Sequence, residues 1–442
     1  MAKATGLLPQ LSEITTRKKR KGGVKVFFCL YNERIRLEEF LAYYRKLGAR
    51  EFFAVDNNST DGSTGYLKGQ RDVHLFHTRQ SYRESYAGRI WTSNLCETYG
   101  AGSWCLTVDT DEFLIYPYSE HVGLPLLCEY LEDRNYQALF CLMHDYYNPG
   151  PLADAEYSEG RSIFDVCDHF DAPSSYRVRP AQLFPHVQVH GGPRPRRFWV
   201  SRNGPAMKKI PLVYWEPGFR YNHSTHSCTP VRLADVTGSL AHFKFLSNFK
   251  EFVAREIARE DRMNDSADYK RYLIGLKRRD FSFFNKRLSR HNGDSSHLID
   301  LGAMACSQEY FDFCFDRLCR REGYAAFNPL RLIYKEEMEK RRKPVGYDSL
   351  MQVWPLMLSM INETPQIGET ASASGNGDPA ATARLERKLE SQARSIELLS
   401  EHVKRQAAEN EALRAELETA RSTASRQSAA SDNHAGPDQP EK

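Results

Sequence analysis

The chain has 442 residues, 41% hydrophobic and 12% aromatic, and a formal net charge of +4 at pH 7. That length allows two or three domains, or one large domain with appendages, and the composition can build a sizeable core. So small a charge argues against a nucleic-acid-binding protein, no run approaches the ~20 apolar residues of a membrane span, and no apolar N-terminal signal segment is present.

Residues 1–22 read as a polar, basic, disordered leader. Its Arg17–Lys21 run, like Lys340–Lys343, fits a solvated surface or a peripheral contact with an anionic membrane. Val24–Leu30 predicts a buried strand. Arg34–Leu47 has apolar residues at helical spacing and stops at Gly48. Glu51–Val55 predicts a second strand, followed by the polar loop Asp56–Ser63 and a short helix that Thr60 or Asp61 could cap. Val73–Phe76 is a third strand, Tyr82–Tyr99 a helix and Trp104–Val108 a fourth strand. This β-α-β-α-β-α-β order predicts a parallel sheet covered by helices. Ligands of such sheets bind beyond the C-terminal strand ends, where Asn32/Glu33, Asp56/Asn57 and Asp109/Asp111 should converge. No glycine-rich dinucleotide fingerprint and no phosphate loop follow the first strand.

The fourth strand runs into Asp109-Thr110-Asp111-Glu112. In an extended backbone Asp109 and Asp111 point the same way. Two carboxylates on one side leave coordination positions free for water and substrate phosphates, as Mg²⁺ and Mn²⁺ prefer. An acid-rich turn or helix N-terminus is the competing reading.

These residues resemble a known family. LYNE after the first strand, the DNNSTDGS loop, the Gly88-Arg89…Asn94 helix and Val108–Glu112 are similar, in order and spacing, to the motif series of family-2-like glycosyltransferases. His242-Phe243-Lys244 and the helix after it are similar to the ending of the family-92-like subgroup. The resemblance covers about residues 24–260. It implies an α/β GT-A fold with a Rossmann-like mixed sheet, and transfer with inversion of a hexosyl group from a nucleotide-diphospho-sugar (a UDP-sugar favoured). The acceptor would be a saccharide or other hydroxyl, in polysaccharide or glycoconjugate synthesis. It further implies a donor site of Tyr31, Glu33, Asp56, Asn58, Asp61, Arg89, Asp109 and Lys244. Asp109, Asp111 and His242 would hold Mn²⁺ or Mg²⁺.

After Pro117 the pattern loosens. Leu124–Leu131 predicts a helix and Ala138–Met143 a strand ending in His144-Asp145. Asn148–Ser175 reads as an irregular excursion and Tyr176–Trp199 as a basic hairpin region. Lys208–Tyr214 predicts a strand closed by a Trp215-Glu216-Pro217-Gly218 turn. Asp145 and Glu216 are the candidate catalytic bases. His223 and His226 lie three apart, a spacing that alone fits ligation or plain hydrogen bonding. Residues 249–290 and 297–340 are mostly helical, and the aromatic stripe from Met304 to Leu318 reads as core packing.

The ten cysteines include no CxxC pair and no zinc-type spacing. Cys29, Cys105 and Cys141 sit in apolar runs, where a thiol packs as a small hydrophobe. That usage predicts a cytoplasmic protein. The domain plan is a transferase domain over 23–262, a helical extension over 263–362 and a flexible linker over 363–382. A coiled coil over 383–422 and a disordered tail over 423–442 complete it. In the coiled coil Leu389, Ile396, Val403, Asn410 and Leu417 take a positions, and Asn410 would favour two strands and hence a homodimer. Two other readings stand beside the transferase: a nucleotidyltransferase, and a non-catalytic transferase-like module assembled by the coiled coil.

Overall fold

A computed structural model describes residues 6–15, 17, 22–198, 204–222, 224–261, 266–277, 281–322 and 354–362. The expected linker, coiled coil and tail, the Lys340–Lys343 run and His223 lie outside the described residues. Among the described residues no helix is long and apolar enough to cross a membrane.

The chain forms a mixed α/β structure around one large sheet. Its first half follows the sequence pattern. Strands β2 (Lys25–Leu30), β3 (Glu51–Asp56), β4 (Val73–His77) and β5 (Trp104–Thr107) alternate with helices α1 (Arg34–Lys46), α2 (Ser63–Lys68) and α3 (Arg89–Leu95). All four strands are parallel, in the order β4-β3-β2-β5. Helices cover both faces, so these strands are apolar almost throughout rather than alternating. Phe27 and Phe53 stack between adjacent strands with ring centroids 4.8 Å apart.

Two expectations fail here. Part of the leader is ordered: β1 (Ser12–Thr15) pairs antiparallel with β4, Ser12 opposite His77. It covers an edge that would otherwise expose unpaired backbone groups, and Leu11 is buried beside it. The third helix begins at Arg89, not Tyr82. Tyr86, Ala87 and Gly88 all have positive φ, which breaks the helical path. Gly88 also lies so close to β2 that a Cβ would sit 2.3 Å from the Cys29 Sγ, so only glycine fits.

The second half of the sheet is mixed. Strands β6 (Glu112–Ile115), β7 (Ala138–Tyr147), β11 (Lys208–Tyr214) and β12 (Leu233–His242) continue it in the order β5-β11-β7-β12-β6. β11 runs antiparallel to β5 and β7, β12 parallel to β7, and β6 antiparallel to β12. Strands β5 and β6 are consecutive in sequence but have three strands between them. The acidic turn therefore crosses the ends of β11, β7 and β12. β7 runs four residues further than predicted, so His144 and Asp145 lie inside it and are fully buried.

The rest braces this half. Helix α4 (Leu124–Asp133) follows β6. The excursion after β7 holds α5 (Ile163–Val166) and β8 (His169–Asp171), and a separate hairpin pairs β9 (Arg177–Pro180) with β10 (Val187–His190). Helices α6 (Pro193–Phe198), α7 (Phe249–Arg259) and α8 (Ala267–Gly275) pack together, and β13 (Ser289–His291) pairs with β8. Helices α9 (Ser295–Asp300), α10 (Gln308–Glu322) and α11 (Trp354–Asn362) end the described chain. Met304, Tyr310, Phe311 and Leu318 are buried, as the stripe predicted, and Trp354 is wholly enclosed against Phe140 with its indole N–H on the Ala234 carbonyl. The larger buried cluster holds residues from Leu11 to Ile361, and a second, around Phe245, Phe249 and Phe283, lies beside it.

Candidate functional site

Strand directions decide what gathers at one end of the sheet. The C-terminal ends of β2, β3, β5, β7 and β12 meet the N-terminal ends of β6 and β11 there. An open cleft of about 630 Å³ lies over them, with Tyr31, Glu33, Asn57, Asp109, Asp111, His242, Lys244 and Arg259 on its walls. A smaller adjoining cleft of about 340 Å³ shares Cys29 and Asp109 with it and is walled by Arg89, Tyr221 and Thr225.

The acidic turn is sorted by its neighbours. The Asp111 carboxylate lies 3.3 Å from the His242 Nε2. Burial raises the Asp111 pKa, but His242, Lys244 and Arg36 outweigh that and hold it well below the usual carboxylate range. Glu112 is buried and already occupied. Lys209 donates to one of its oxygens, and the Asp109 N–H, at 3.2 Å, donates to the other. Burial, only partly offset by Lys209, pushes Glu112 upward. Glu112 thus closes the turn and orients Asp109. Asp109 itself is 54% exposed, with Lys209 Nζ 3.3 Å from its carboxylate.

His242 is fixed from behind. Its Nδ1 lies 2.6 Å from Asp145 Oδ1, and Arg194 Nε donates to Asp145 Oδ2 at 2.6 Å. Burial disfavours a charged ring, yet Asp111 and Asp145 together raise the His242 pKa. Asp111, Glu112 and His242 form the only group of three acid or imidazole side chains among the described residues with ligand atoms within 4.8 Å. The donor set fits a small divalent cation: at ~2.1 Å bond lengths, neighbouring octahedral ligands stand ~3 Å apart. Asp111 and His242 have that separation and face the cleft, whereas Lys209 already takes the Glu112 charge.

The nucleoside-side candidates divide. Tyr31 lies under the Arg259 guanidinium, 3.8 Å from its ring centroid. Glu33 pairs with Arg36 at 2.6 Å, and burial raises its pKa despite that partner. Lys244 stands 5.6 and 5.5 Å from the Phe252 and Tyr269 ring centroids. Asp56 is fully buried and spent on its own loop: it accepts from the Ser59 N–H at 2.9 Å and from the Thr64 hydroxyl. The next residue, Asn57, takes the cleft position. Asn58 is exposed with φ 66°. Asp61 ties two loops, accepting from the Ser63 N–H and hydroxyl at 3.0 and 2.6 Å and the Arg34 N–H at 2.9 Å. Arg89 lines the smaller cleft and donates to the Tyr221 carbonyl at 2.8 Å.

Neither candidate base faces the cleft. Both Asp145 oxygens are engaged and the residue is wholly buried. Glu216 follows Tyr214, which pairs with Trp104 at the start of β5, so it sits at the opposite end of the sheet, bonded to Gln137 at 3.1 Å. His226 holds the Lys208 carbonyl with its Nδ1 at 2.7 Å. Sequence reading placed Asn57 at the crevice but missed Lys209, Arg194 and Arg259. For Lys209 a signal existed: a lysine pair opening an apolar strand must find acceptors once buried, and Lys208 takes the His226 carbonyl while Lys209 takes Glu112.

No family model matches the chain. A glycosyltransferase family 92 protein of Arabidopsis thaliana is 28% identical over 144 residues, covering 28% of this chain and 23% of the relative. The matched part is thus about a quarter of that relative's length. The likeness supports a family-92-like relationship and no more.

Proposed function

We propose that this chain is a glycosyltransferase of GT-A type, dependent on Mn²⁺ or Mg²⁺, that uses a nucleotide-diphospho-sugar. One observation carries the reading. The strand ends bring Asp111 and His242 to a ligand-pair distance in a cleft whose walls also hold the cations Lys244 and Arg259. The weak likeness to a named glycosyltransferase supports the same reaction class.

In this reading Asp111 and His242 hold the cation, and Lys244 and Arg259 neutralise the donor diphosphate. Tyr31 and Asn57 contact the nucleoside. The C1–O bond to the diphosphate breaks, and the nucleoside diphosphate leaves with the electron pair. The acceptor oxygen bonds to C1 and its proton passes to water in the open cleft, since neither Asp145 nor Glu216 reaches it. The bound cation would supply stabilisation of the negative charge growing on the leaving group.

The test is calorimetry of the full chain against a panel of nucleotide-sugars, with UDP-sugars included, with and without Mn²⁺. The expected result is cation-dependent binding of one donor class, lost in Asp111→Asn. Binding of no nucleotide-sugar under either condition overturns the reading. Consumption of a nucleoside triphosphate with pyrophosphate release would establish the nucleotidyltransferase instead.

A further inference from the structure

Register places Glu112, His242 and Asp145 side by side in one row across β6, β12 and β7. Behind that row stands Arg194 of α6, 5% exposed, its Nε 2.6 Å from Asp145 and its Nη2 3.3 Å from the Met207 sulfur. Neither Asp145 nor Arg194 lines the cleft. A buried carboxylate is costly unless both its oxygens have donors. Here it has two, and they are tied to each other through it.

We propose that Asp145 and Arg194 are positioning residues for cation capture, holding His242 with its proton on Nδ1 and its Nε2 lone pair aimed beside Asp111. This rests on the metal reading of the cleft. An ionised carboxylate only accepts hydrogen bonds, so the atom facing it at 2.6 Å, Nδ1, must be the one that carries hydrogen. The other nitrogen, 3.3 Å from the Asp111 carboxylate, is then the one whose proton a cation can replace. Imidazole ligands are set in this way by a carboxylate behind them. Arg194 adds a second constraint. A guanidinium only donates, so it forbids any donor on the oxygen it faces.

That constraint makes Asp145→Asn informative beyond simple loss of charge. The amide must turn its oxygen to Arg194, because its NH₂ cannot face a guanidinium. Its NH₂ then points at Nδ1. His242 has to accept there and carry its proton on Nε2, where it blocks ligation. Arg194→Gln in the same chain removes the constraint, since glutamine can accept from the amide NH₂ and let the amide oxygen return to Nδ1.

The measurement is Mn²⁺ binding to the full chain, read from the free-ion electron paramagnetic resonance signal, which requires no turnover. Asp145→Asn should weaken binding roughly 10–100-fold. The Asp145→Asn, Arg194→Gln pair should bind more tightly than Asp145→Asn alone. If the wild type binds Mn²⁺ and Asp111→Asn does not, but Asp145→Asn binds as the wild type does, the positioning role is overturned and the metal site stands. If the wild type binds no Mn²⁺, the metal reading falls and this inference with it. Should Asp145→Asn not fold, ¹⁵N-histidine spectra of the Mg²⁺-loaded wild type decide: the Nδ1–H tautomer at His242 supports the role, and the Nε2–H tautomer overturns it.

Discussion

The two halves of the sheet handle polar residues in opposite ways. In the parallel half, from β4 to β5, the polar groups at the cleft sit at the strand ends and in the loops after them and are satisfied mostly close by in sequence, the buried Glu51–His74 pair across β3 and β4 being an exception. Asp56 bonds Ser59 and Thr64, and Asp61 bonds Ser63. In the mixed half, from β11 to β6, the polar groups lie inside the strands and find partners about a hundred residues away. Lys209 reaches Glu112, and His242 reaches Asp145. The first half builds a frame from local rules. The second builds a charged row that only the folded sheet assembles, so its members depend on one another more strongly than sequence neighbours do.

The sharpest way to break this contrast is to remove one member of the row. Lys209→Met leaves Glu112 buried without its cation. The expected cost is about 3–5 kcal/mol, the range for stranding one partner of a buried pair, measured by denaturant unfolding. Protonation relieves a stranded carboxylate, so the loss should shrink as pH falls. Lys209→Met together with Glu112→Leu should recover much of it. A loss under 1 kcal/mol for the single variant would mean that the row is not a buried network.

Asp111→Asn separates function from stability on the same row. Asp111 faces the cleft, so the change should lower Mn²⁺-dependent donor binding by about 100-fold, or ~2.7 kcal/mol, a larger loss than the stability lost with the Asp111–His242 pair. Asp56→Ala is its counterpart in the parallel half. Two donors lose a fully buried acceptor there, which should cost ~2 kcal/mol of stability. Donor affinity per folded molecule should change less than stability does. The reverse pattern for this pair, tighter coupling of Asp56 to binding than to folding, would return Asp56 to the nucleoside site.

The same contrast explains what was legible in the sequence. The four parallel strands and α1 and α2 followed from apolar runs, helical spacing and turn residues, because each obeys short-range rules. The acidic turn stood out because three carboxylates in four residues are conspicuous anywhere. The roles of Asp145 and Glu216 were not legible. Whether a carboxylate faces a cleft or a buried arginine depends on register between strands far apart in the chain, and a one-residue shift reverses its face. Arg194 carried no signal at all: within PRPRRF it is one of three similar arginines, and only the packing of α6 behind β7 distinguishes it. Helix α3 starts later than the Tyr82–Tyr99 pattern predicted because positive φ at Tyr86–Gly88, with Gly88 held against Cys29, makes a turn before it.

The smallest effect concerns His144, next to the row yet outside it. Its Nδ1 is 2.8 Å from the Ser239 hydroxyl, and the ring is packed edge-on against Phe170 and Tyr176. Burial drives its pKa down to about 3, only partly opposed by Asp145. The unfolded chain takes up this proton near pH 6.5 and the folded chain does not. Stability therefore falls as pH drops through 6.5 and goes on falling until about pH 3. Between pH 6.5 and 5 the contribution is about 2 kcal/mol, at ~1.4 kcal/mol per pH unit. His144→Gln should remove that slope, so the stability gap between the variant and the wild type should shift in favour of the variant as pH falls from 7 to 5. Parallel pH curves would mean that the fold accommodates a charged His144. In that case the polar row would extend one residue further along β7, to His144.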